Sequence, residues 1–578
     1  MNGRGLRALD AGMLAIGAAA TAALLAEYGF GVTGEAARLL HVGEFLGAYL
    51  FCFLQVAKLA LAPSASRYLR RNWFEFSLIA VITFQLFAAK GLETAPEYVY
   101  LSRHGSPAPL AAASLMLAQL YFLAVGAVQS TFLQRCLMRL HLRPAGTMAL
   151  SFAATIAVVT LGLLLPTASA PGRAVSWVDA LFTATSAVCV TGLTVVDTGT
   201  AFSALGQCVV LAGIQIGGLG ILTLTAFAAV FSGEGLLGRE ARDIGFLMEA
   251  RNVKDLRRVV INVVVLTFVV EAAGAALLYR PMGWYVADPF LRAFYAIFHS
   301  ISAFCNAGFG LFPDNLGRFR SSTLAMAAFM LLITGGSLGF AVLRDLPRTI
   351  GRLFSGRWRA VPRHTRVVLT MYAALVVLGA LAFYLLERDG LMRGMSAEEN
   401  LLNSIFIPVT ARTCGFQTFD LGALRAVSAW LIIALMWVGG APGSTAGGFK
   451  VTVLAVLLAQ LRAKLTGRPC SLDGRPLDRA LLEKSRLVFG GITAALAVAA
   501  AVLMMLAGGA VVPLVFEAAS AVGTVGLSMG ITAGLTAPAK LLLVAAMFAG
   551  RVLPACLVLR WLARNPDVQL GEDPVGVG

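Results

Sequence analysis

The chain of 578 residues is 58% hydrophobic and only 13% charged, with a mean hydropathy of +0.81. A water-facing globular fold would lack the polar surface to cover so much apolar side chain, so the composition excludes it and indicates a polytopic membrane protein. The net charge of +16 does not indicate nucleic-acid binding, because the Lys and Arg residues gather in short loops between apolar runs, as retained cytoplasmic charge does.

In chain order, runs of about 20 apolar residues, the length of one crossing, fall at 10–30, 43–62, 73–90, 111–132, 146–166, 203–231, 258–279, 322–342, 366–386, 427–455 (interrupted by glycines), 486–508 and 539–562. The first has a basic start like a signal peptide, but further spans follow at once and it reads as a retained helix. The loops "RYLRRNW", "LQRCLMRLHLR", "RDLPRTIGRLFSGRWRAVPRHTR" and "RAKLTGRPCSLDGRPLDR" are basic, whereas "ETAPEYVYLSRHGSPAP" and "ERDGLMRGMSAEEN" are mixed or acidic. That bias places both termini in the cytoplasm. The eight cysteines and five histidines show no CxxC and no metal-type spacing, so neither a disulfide framework nor a zinc site is expected.

Four segments between crossings, beginning near Val178, Phe290, Asn400 and Val512, are too short to span and suit re-entrant segments. Non-helical backbone at membrane depth is tolerated only where protein buries it or it lines a water-filled path. Aligned on one glycine each, they read "TSAVCVTGLTVVD" at Gly192, "ISAFCNAGFGLFPD" at Gly308, "PVTARTCGFQTFD" at Gly415 and "ASAVGTVGLSMGI" at Gly526, at intervals of 116, 107 and 111 residues. Six residues before the glycine stand Ser186, Ser302, Val409 and Ser520, and a bulky apolar residue always follows it. Such regular recurrence is an internal repeat. Each copy is crossing, re-entrant segment, crossing, so all four share one orientation and can surround one axis along the membrane normal.

A ring of backbone carbonyls can replace a cation's hydration shell without fixed charge, and glycine permits the conformations that turn successive carbonyls toward an axis. Val190, Thr191, Gly192 and Leu193; Asn306, Ala307, Gly308 and Phe309; Thr413, Cys414, Gly415 and Phe416; and Thr524, Val525, Gly526 and Leu527 therefore read as four quarters of a selectivity filter. K+ is expected on the carbonyls at the four glycines. A short helix before each quarter would aim its negative dipole end at the axis, and Asp197, Asp314 and Asp420 just outside would raise the local cation concentration.

These motifs, with "GIQIGGLGILTL", "GGAPGSTAGGFKVT" and "GRVLP" in the same order, resemble the Trk/Ktr/HKT superfamily of potassium transporters, closest to the bacterial Ktr-type membrane subunit, over roughly residues 145–565. The resemblance implies an all-α membrane protein with four parallel helix–pore loop–helix repeats in pseudo-fourfold arrangement. It implies a homodimer in the bacterial inner membrane, conducting K+ with some Na+ dependence or permeation, under a cytoplasmic nucleotide-binding regulatory subunit. K+, with Na+ as second candidate, is the transported ion, and no tightly bound cofactor, enzyme activity or nucleic-acid partner is implied. In some plant relatives a serine replaces the first filter glycine and Na+ is preferred, so Gly192 favours potassium.

The expected organisation is a membrane extension of about four helices over 1–140, pore repeats over 141–232, 233–350, 351–465 and 466–565, and a cytoplasmic tail over 566–578. In the third repeat Gly439, Gly440, Gly443, Gly447 and Gly448 with Pro442 and Ser444 cannot hold a continuous helix. The resemblance makes this stretch, with Thr445, an intramembrane gating loop beneath the filter. Arg551 and Lys450 are charges inside apolar spans, costly and usually functional. Arg551 is expected at the gate and Lys450, near a helix end, to reach the interface. Arg412 is expected to support the filter, by pairing a carboxylate such as Glu517 or by holding carbonyls, and Glu271 to be a helix-packing hydrogen bonder. No GxxxxGK[ST] loop appears, so ATP hydrolysis is not expected in this chain. A secondary transporter of a small solute is the alternative class, but it predicts inverted repeats or paired broken helices.

Overall fold

A computed structural model describes residues 144–220 and 253–564, with isolated positions before residue 60. The chain divides into two compact units, 1–142 with 165–167 and 225–237, and 143–164 with 168–224 and 238–578. The four crossings expected before residue 140, the end of the crossing at 203–231 and the tail at 566–578 lie outside the described residues. The second unit carries all four filter segments.

Its helices are α1 (Pro144–Leu163), α2 (Trp177–Val188), α3 (Ala204–Leu219), α4 (Val253–Met282), α5 (Pro289–Phe304), α6 (Thr323–Leu338), α7 (Phe340–Phe354), α8 (Arg363–Glu387), α9 (Ala397–Thr410), α10 (Ala426–Trp437), α11 (Val451–Thr466), α12 (Arg479–Ala507), α13 (Val511–Gly523) and α14 (Ala537–Arg564). A two-residue hairpin, Ser471–Leu472 with Arg475–Pro476, joins α11 to α12. Ile261–Met282, Arg363–Glu387, Arg479–Ala507 and Ala537–Trp561 are long and apolar enough to cross a membrane, and their outer faces leave Phe268, Leu378 and Val498 uncovered by protein.

The short helices α2, α5, α9 and α13 hold 12, 16, 14 and 13 residues, at most about 24 Å and less than the roughly 30 Å hydrocarbon core. Three of them start where the sequence supplies a cap. Ser176 accepts from Asp179 N, Asp288 from Leu291 N ahead of Pro289, and Ser396 forms a reciprocal capping box with Glu399. Satisfying the free N–H groups of the first turn lets a short helix begin at a defined point. Their later turns carry Ala, Ser and Phe residues buried on every side.

Two inner crossings are broken. The third stops at Trp437 and resumes at Val451, as the glycine run predicts. The second, expected as one crossing over 322–342, ends at Leu338, and Gly339, at φ +82°, turns the chain by 113° into α7. A side-chain-bearing residue resists that conformation, so the position of this glycine sets the corner.

Candidate functional site: a ring of four glycines

Each short helix runs without a break into its filter segment, and the four segments share one backbone signature. The residue two before the glycine lies in the left-handed region, at φ +56° for Val190, +58° for Asn306, +72° for Thr413 and +48° for Thr524, and the glycines follow at +92°, +67°, +87° and +98°. The intervening Thr191, Ala307, Cys414 and Val525 do not have positive φ. This alternation turns successive carbonyls toward one side of the strand. Left-handed geometry at β-branched Val190, Thr413 and Thr524 costs about 1–3 kcal/mol each and persists only where the surroundings over-determine it.

The surroundings are the short helices themselves. Thr191 N, Ala307 N and Val525 N donate to Ser186 O, Ser302 O and Ser520 O at 2.7, 2.7 and 2.8 Å. Ser186 and Ser520 hydroxyls accept from Gly192 N and Gly526 N, both at 3.0 Å, while Ser302 Oγ donates to Phe309 O at 2.9 Å. The third repeat has Val409 at that position and substitutes the next residue, Thr410, whose Oγ1 donates to Phe416 O at 2.8 Å.

The ring closes through the glycines. A Cβ on Gly192 would strike Ala307 O, one on Gly308 would strike Cys414 O, one on Gly415 Val525 O, and one on Gly526 Thr191 O. The order is first to second, second to third, third to fourth, fourth to first, with the same atom in contact each time. The hydroxyls of Thr191, Thr413 and Thr524 are buried with no hydrogen-bond partner among the described residues. All sixteen proposed filter residues are therefore brought together, in an oxygen-rich ring at which four helix C-termini converge.

Beneath it lies the irregular stretch between α10 and α11. Gly439 N donates to Phe449 O at 2.9 Å and Val451 N to Gly440 O at 2.9 Å, closing a loop. Ala441 N and Thr445 N donate to Ser337 O and Gly336 O at the end of α6, and Thr445 Oγ1 lies 3.2 Å from Phe304 O and 2.9 Å from the Asn306 amide. A Cβ on Gly447 would strike Thr524 Oγ1, so the loop reaches the underside of the fourth filter segment. Gly443 O accepts from Phe340 N at 3.1 Å, and Ser444 Oγ turns onto Ala441 O. Gly448, at φ +62°, packs on Gly439.

Three cations meet this loop. Arg551 donates through Nη1 to Thr445 O at 2.7 Å and through Nη2 to Gly217 O of α3 at 2.8 Å, so it ties the loop to α3. Arg412 is fully buried and does not pair with Glu517. Its Nη2 donates to Gly439 O at 2.9 Å and its guanidinium lies 4.0 Å from the Tyr372 ring centroid. It holds a carbonyl, one of its two expected tasks, in the loop rather than the filter. Lys450 turns its Nζ back onto Ala446 O of the same loop at 2.7 Å rather than reaching outward, because the loop offers a buried carbonyl four residues back.

Glu517 instead accepts from Met529 N at 3.0 Å, Ser528 Oγ at 2.6 Å and Thr532 Oγ1 at 2.8 Å, fixing the strand that leaves Leu527. At the equivalent position of the second repeat, nine residues before the glycine, His299 does the same work. Its Nε2 accepts from Leu311 N at 3.3 Å while Nδ1 meets Tyr295 O at 2.8 Å, so the proton is on Nδ1. Sequence reasoning did not find His299. Nor did it find Gly217, Gly336 and Gly550, which seat the inner helices directly on the carbonyls of Val188, Phe304 and Val522 at the short helices' ends. Glu271 packs helices as expected, taking Gln215 Nε2 at 3.1 Å. Asp197 and Asp420 accept from backbone amides in their own turns and Asp314 pairs with Arg318 at 2.7 Å, so all three carboxylates have local partners. No group of metal-binding side chains occurs among the described residues.

Long apolar helices packed around short helices whose ends meet in a ring of backbone carbonyls define a helical multi-pass membrane protein. Residues 115–564 match the family described as TrkH, cation transport protein. The chain is 34% identical over 438 residues to the potassium/sodium uptake protein NtpJ of Enterococcus hirae, covering 72% of this chain and 92% of that protein. It is 35% identical over 447 residues to the Ktr system potassium uptake protein B of Vibrio alginolyticus, covering 74% and 94%. The crystal structure of the potassium transporter TrkH from Vibrio parahaemolyticus superposes with a TM-score of 0.57 at 18% identity, covering 85% of this chain and 97% of that one. The chain belongs to the TrkH family of cation transport proteins. It is a cation transporter, not an enzyme.

Proposed function

We propose that the chain takes up potassium across the inner membrane of a bacterial cell, through a filter made of Val190–Leu193, Asn306–Phe309, Thr413–Phe416 and Thr524–Leu527. The pore repeats are 141–232, 233–350, 351–465 and 466–565, and both termini face the cytoplasm. The observation that carries this reading is the closed ring of four glycines against four carbonyls. Oxygen dipoles without fixed charge suit a monovalent cation that must both enter and leave. An inside-negative potential supplies about 2.3 kcal/mol per charge per 100 mV, about fifty-fold accumulation at about 1.4 kcal/mol per tenfold.

The loop from Gly439 to Lys450, tied by Arg412 and Arg551, is the gate. A cytoplasmic nucleotide-binding regulatory subunit moves it, and the transporter works as a homodimer. The name of the Vibrio alginolyticus relative, protein B of a Ktr system, supports a transporter that works as one part of a larger system. The name of the Enterococcus hirae relative, a potassium/sodium uptake protein, favours a second reading in which Na+ also permeates or is required.

Expression is expected to restore growth of a potassium-uptake-deficient bacterium at low K+, and purified protein in liposomes to pass rubidium down a potential. Correctly inserted protein that passes neither potassium nor rubidium, with or without a regulatory subunit, overturns the reading. Opposed K+ and Na+ gradients then separate the two ion selectivities.

A further inference from the structure

The helix α7 has no place in the filter or the loop, yet its sequence and position are specific. Gly339 turns it 113° from α6, past the perpendicular. A helix leaving a membrane-crossing segment at that angle lies closer to the membrane plane than to its normal. Its residues form three stripes at helical spacing. Val342 and Thr349 are buried against the protein. Arg344, Arg348 and Arg352, spaced i, i+4, i+8, form a second stripe, with Arg344 and Arg348 exposed. Ile350, Leu353 and Phe354 form a third and are 45%, 57% and 87% exposed.

Asp345 offsets only the first arginine of the stripe: its carboxylate is 3.7 Å from Arg344 Nε and 3.5 Å from Thr365 Oγ1 of α8, which leaves Arg348 and Arg352, one and two turns further on, as the cationic stripe. An exposed apolar stripe on one face and an arginine stripe on the opposite face is the composition of an interfacial helix on an anionic bilayer. A water-facing helix would leave Leu353 and Phe354 solvated without compensation.

The first turn of α7 is also joined to the loop. Phe340 N donates to Gly443 O at 3.1 Å, and the preceding residues Ser337 and Gly336 accept from Ala441 N and Thr445 N. A Cβ on Gly339 would press on Pro442 O. Any movement of α7 about its corner therefore pulls on the loop through Phe340 N and Gly443 O and through the contact of Gly339 with Pro442 O, while Gly336 and Ser337 hold the loop to α6.

We propose that α7 is a lipid-responsive anchor of the gate: its apolar stripe enters the bilayer surface, its arginine stripe holds anionic phospholipid headgroups, and the anchored helix keeps the loop across the path. This deepens the transport reading and rests on it, since the loop matters only if ions pass beneath the ring. Each arginine near an anionic surface biases the anchored state about fivefold.

The test is rubidium uptake by the full chain, without regulatory protein, in phosphatidylcholine vesicles and in vesicles that also contain phosphatidylglycerol. The anionic lipid is expected to lower uptake by about threefold or more. The doubly substituted Arg348→Gln, Arg352→Gln protein is expected to lose that dependence, and Arg348→Lys with Arg352→Lys to keep it. A lipid dependence equal in wild type and the glutamine variant is a surface-potential effect on the cations and overturns the proposal. So does a glutamine variant whose uptake changes only when a cytoplasmic regulatory protein is bound, which assigns the stripe to a protein partner. A second measurement needs no transport: Phe354→Trp is expected to add emission that brominated phosphatidylglycerol quenches beyond the quenching of the seven native tryptophans in wild type. Added emission that is not quenched removes the anchor whatever the flux, whereas added quenching with no uptake in any lipid sinks the transport reading alone.

Discussion

The ring and the loop beneath it are both irregular backbone at membrane depth, and they are held in opposite ways. Each filter segment is fixed mainly by its own short helix, through bonds such as Thr191 N to Ser186 O and Gly526 N to Ser520 Oγ. The loop is fixed mainly by others: Arg412 from α9's end, Gly336 and Ser337 from α6, Thr524 from the fourth filter segment and Arg551 from α14. Local bonds formed by adjacent residues resist exchange, because the same atoms are always within reach. Bonds donated from several helices can be traded as those helices shift. The first arrangement suits a part that must keep its geometry, the second a part with two positions.

The sharpest break of this comparison is in the ring. Gly192→Ser places a side chain at φ +92° against Ala307 O, adding strain of about 1–3 kcal/mol to a clash that moves two neighbouring segments. Rubidium uptake is expected to fall at least about tenfold and the K+ over Na+ preference with it, measured under opposed gradients in liposomes. An unchanged ratio would remove Gly192 from selectivity.

The loop should respond in the other direction. Arg551→Gln removes two charge-assisted bonds, to Thr445 O and Gly217 O, each worth about 1.5–3 kcal/mol in a buried site. Uptake without any regulatory protein is expected to rise up to about tenfold while selectivity stays. A fall in uptake with selectivity lost would mean that Arg551 supports the ring instead.

Arg412→Lys separates charge from shape. The ammonium keeps the charge but loses the planar stack on Tyr372 and the reach to Gly439 O, a cost of about 2 kcal/mol for a desolvated cation–π contact. The midpoint of thermal unfolding in detergent is expected to drop by about 2–4 °C, since the shift is below about 2 °C per kcal/mol for a chain longer than about 250 residues, with about a threefold rise in unregulated uptake. An unshifted midpoint would show that the stack contributes little.

The ring was legible in the sequence because it is written four times: one glycine, one spacing and one bulky follower recur whatever their local composition. The broken α10–α11 crossing was legible because five glycines and a proline cannot stay helical. The corner at Gly339 was not, since "TGGSLGFAVL" reads as continuous apolar sequence and only the loop's contact with Ser337 and Phe340 shows why the helix must turn there. The partner of Arg412 was equally out of reach, because Gly439 contributes a carbonyl, and any residue has one. His299 and Glu517 escaped notice as a pair for a different reason. The shared task is to accept one amide, which chemically unlike side chains can do, so the alignment shows no likeness at that position.

That pair carries the smallest prediction. Among the four repeats the position nine before the glycine holds Thr183, His299, Phe406 and Glu517. Only His299 and Glu517 accept the amide three residues after it, whereas the Thr183 hydroxyl has no partner among the described residues. The imidazole also sits between Phe312 and Phe416, at centroid distances of 5.4 and 6.4 Å, so it links the second filter segment to the third. His299→Phe keeps the packing and orphans Leu311 N, at about 1–3 kcal/mol for an unsatisfied buried donor. His299→Gln keeps an acceptor and loses the stacking. If the hydrogen bond positions the ring, the phenylalanine variant lowers the K+ over Na+ ratio by about two- to threefold and the glutamine variant restores most of it. If both variants lower protein yield alike and leave the ratio untouched, His299 only fills the core, and the filter owes its geometry to its own short helix and the adjoining carbonyls alone.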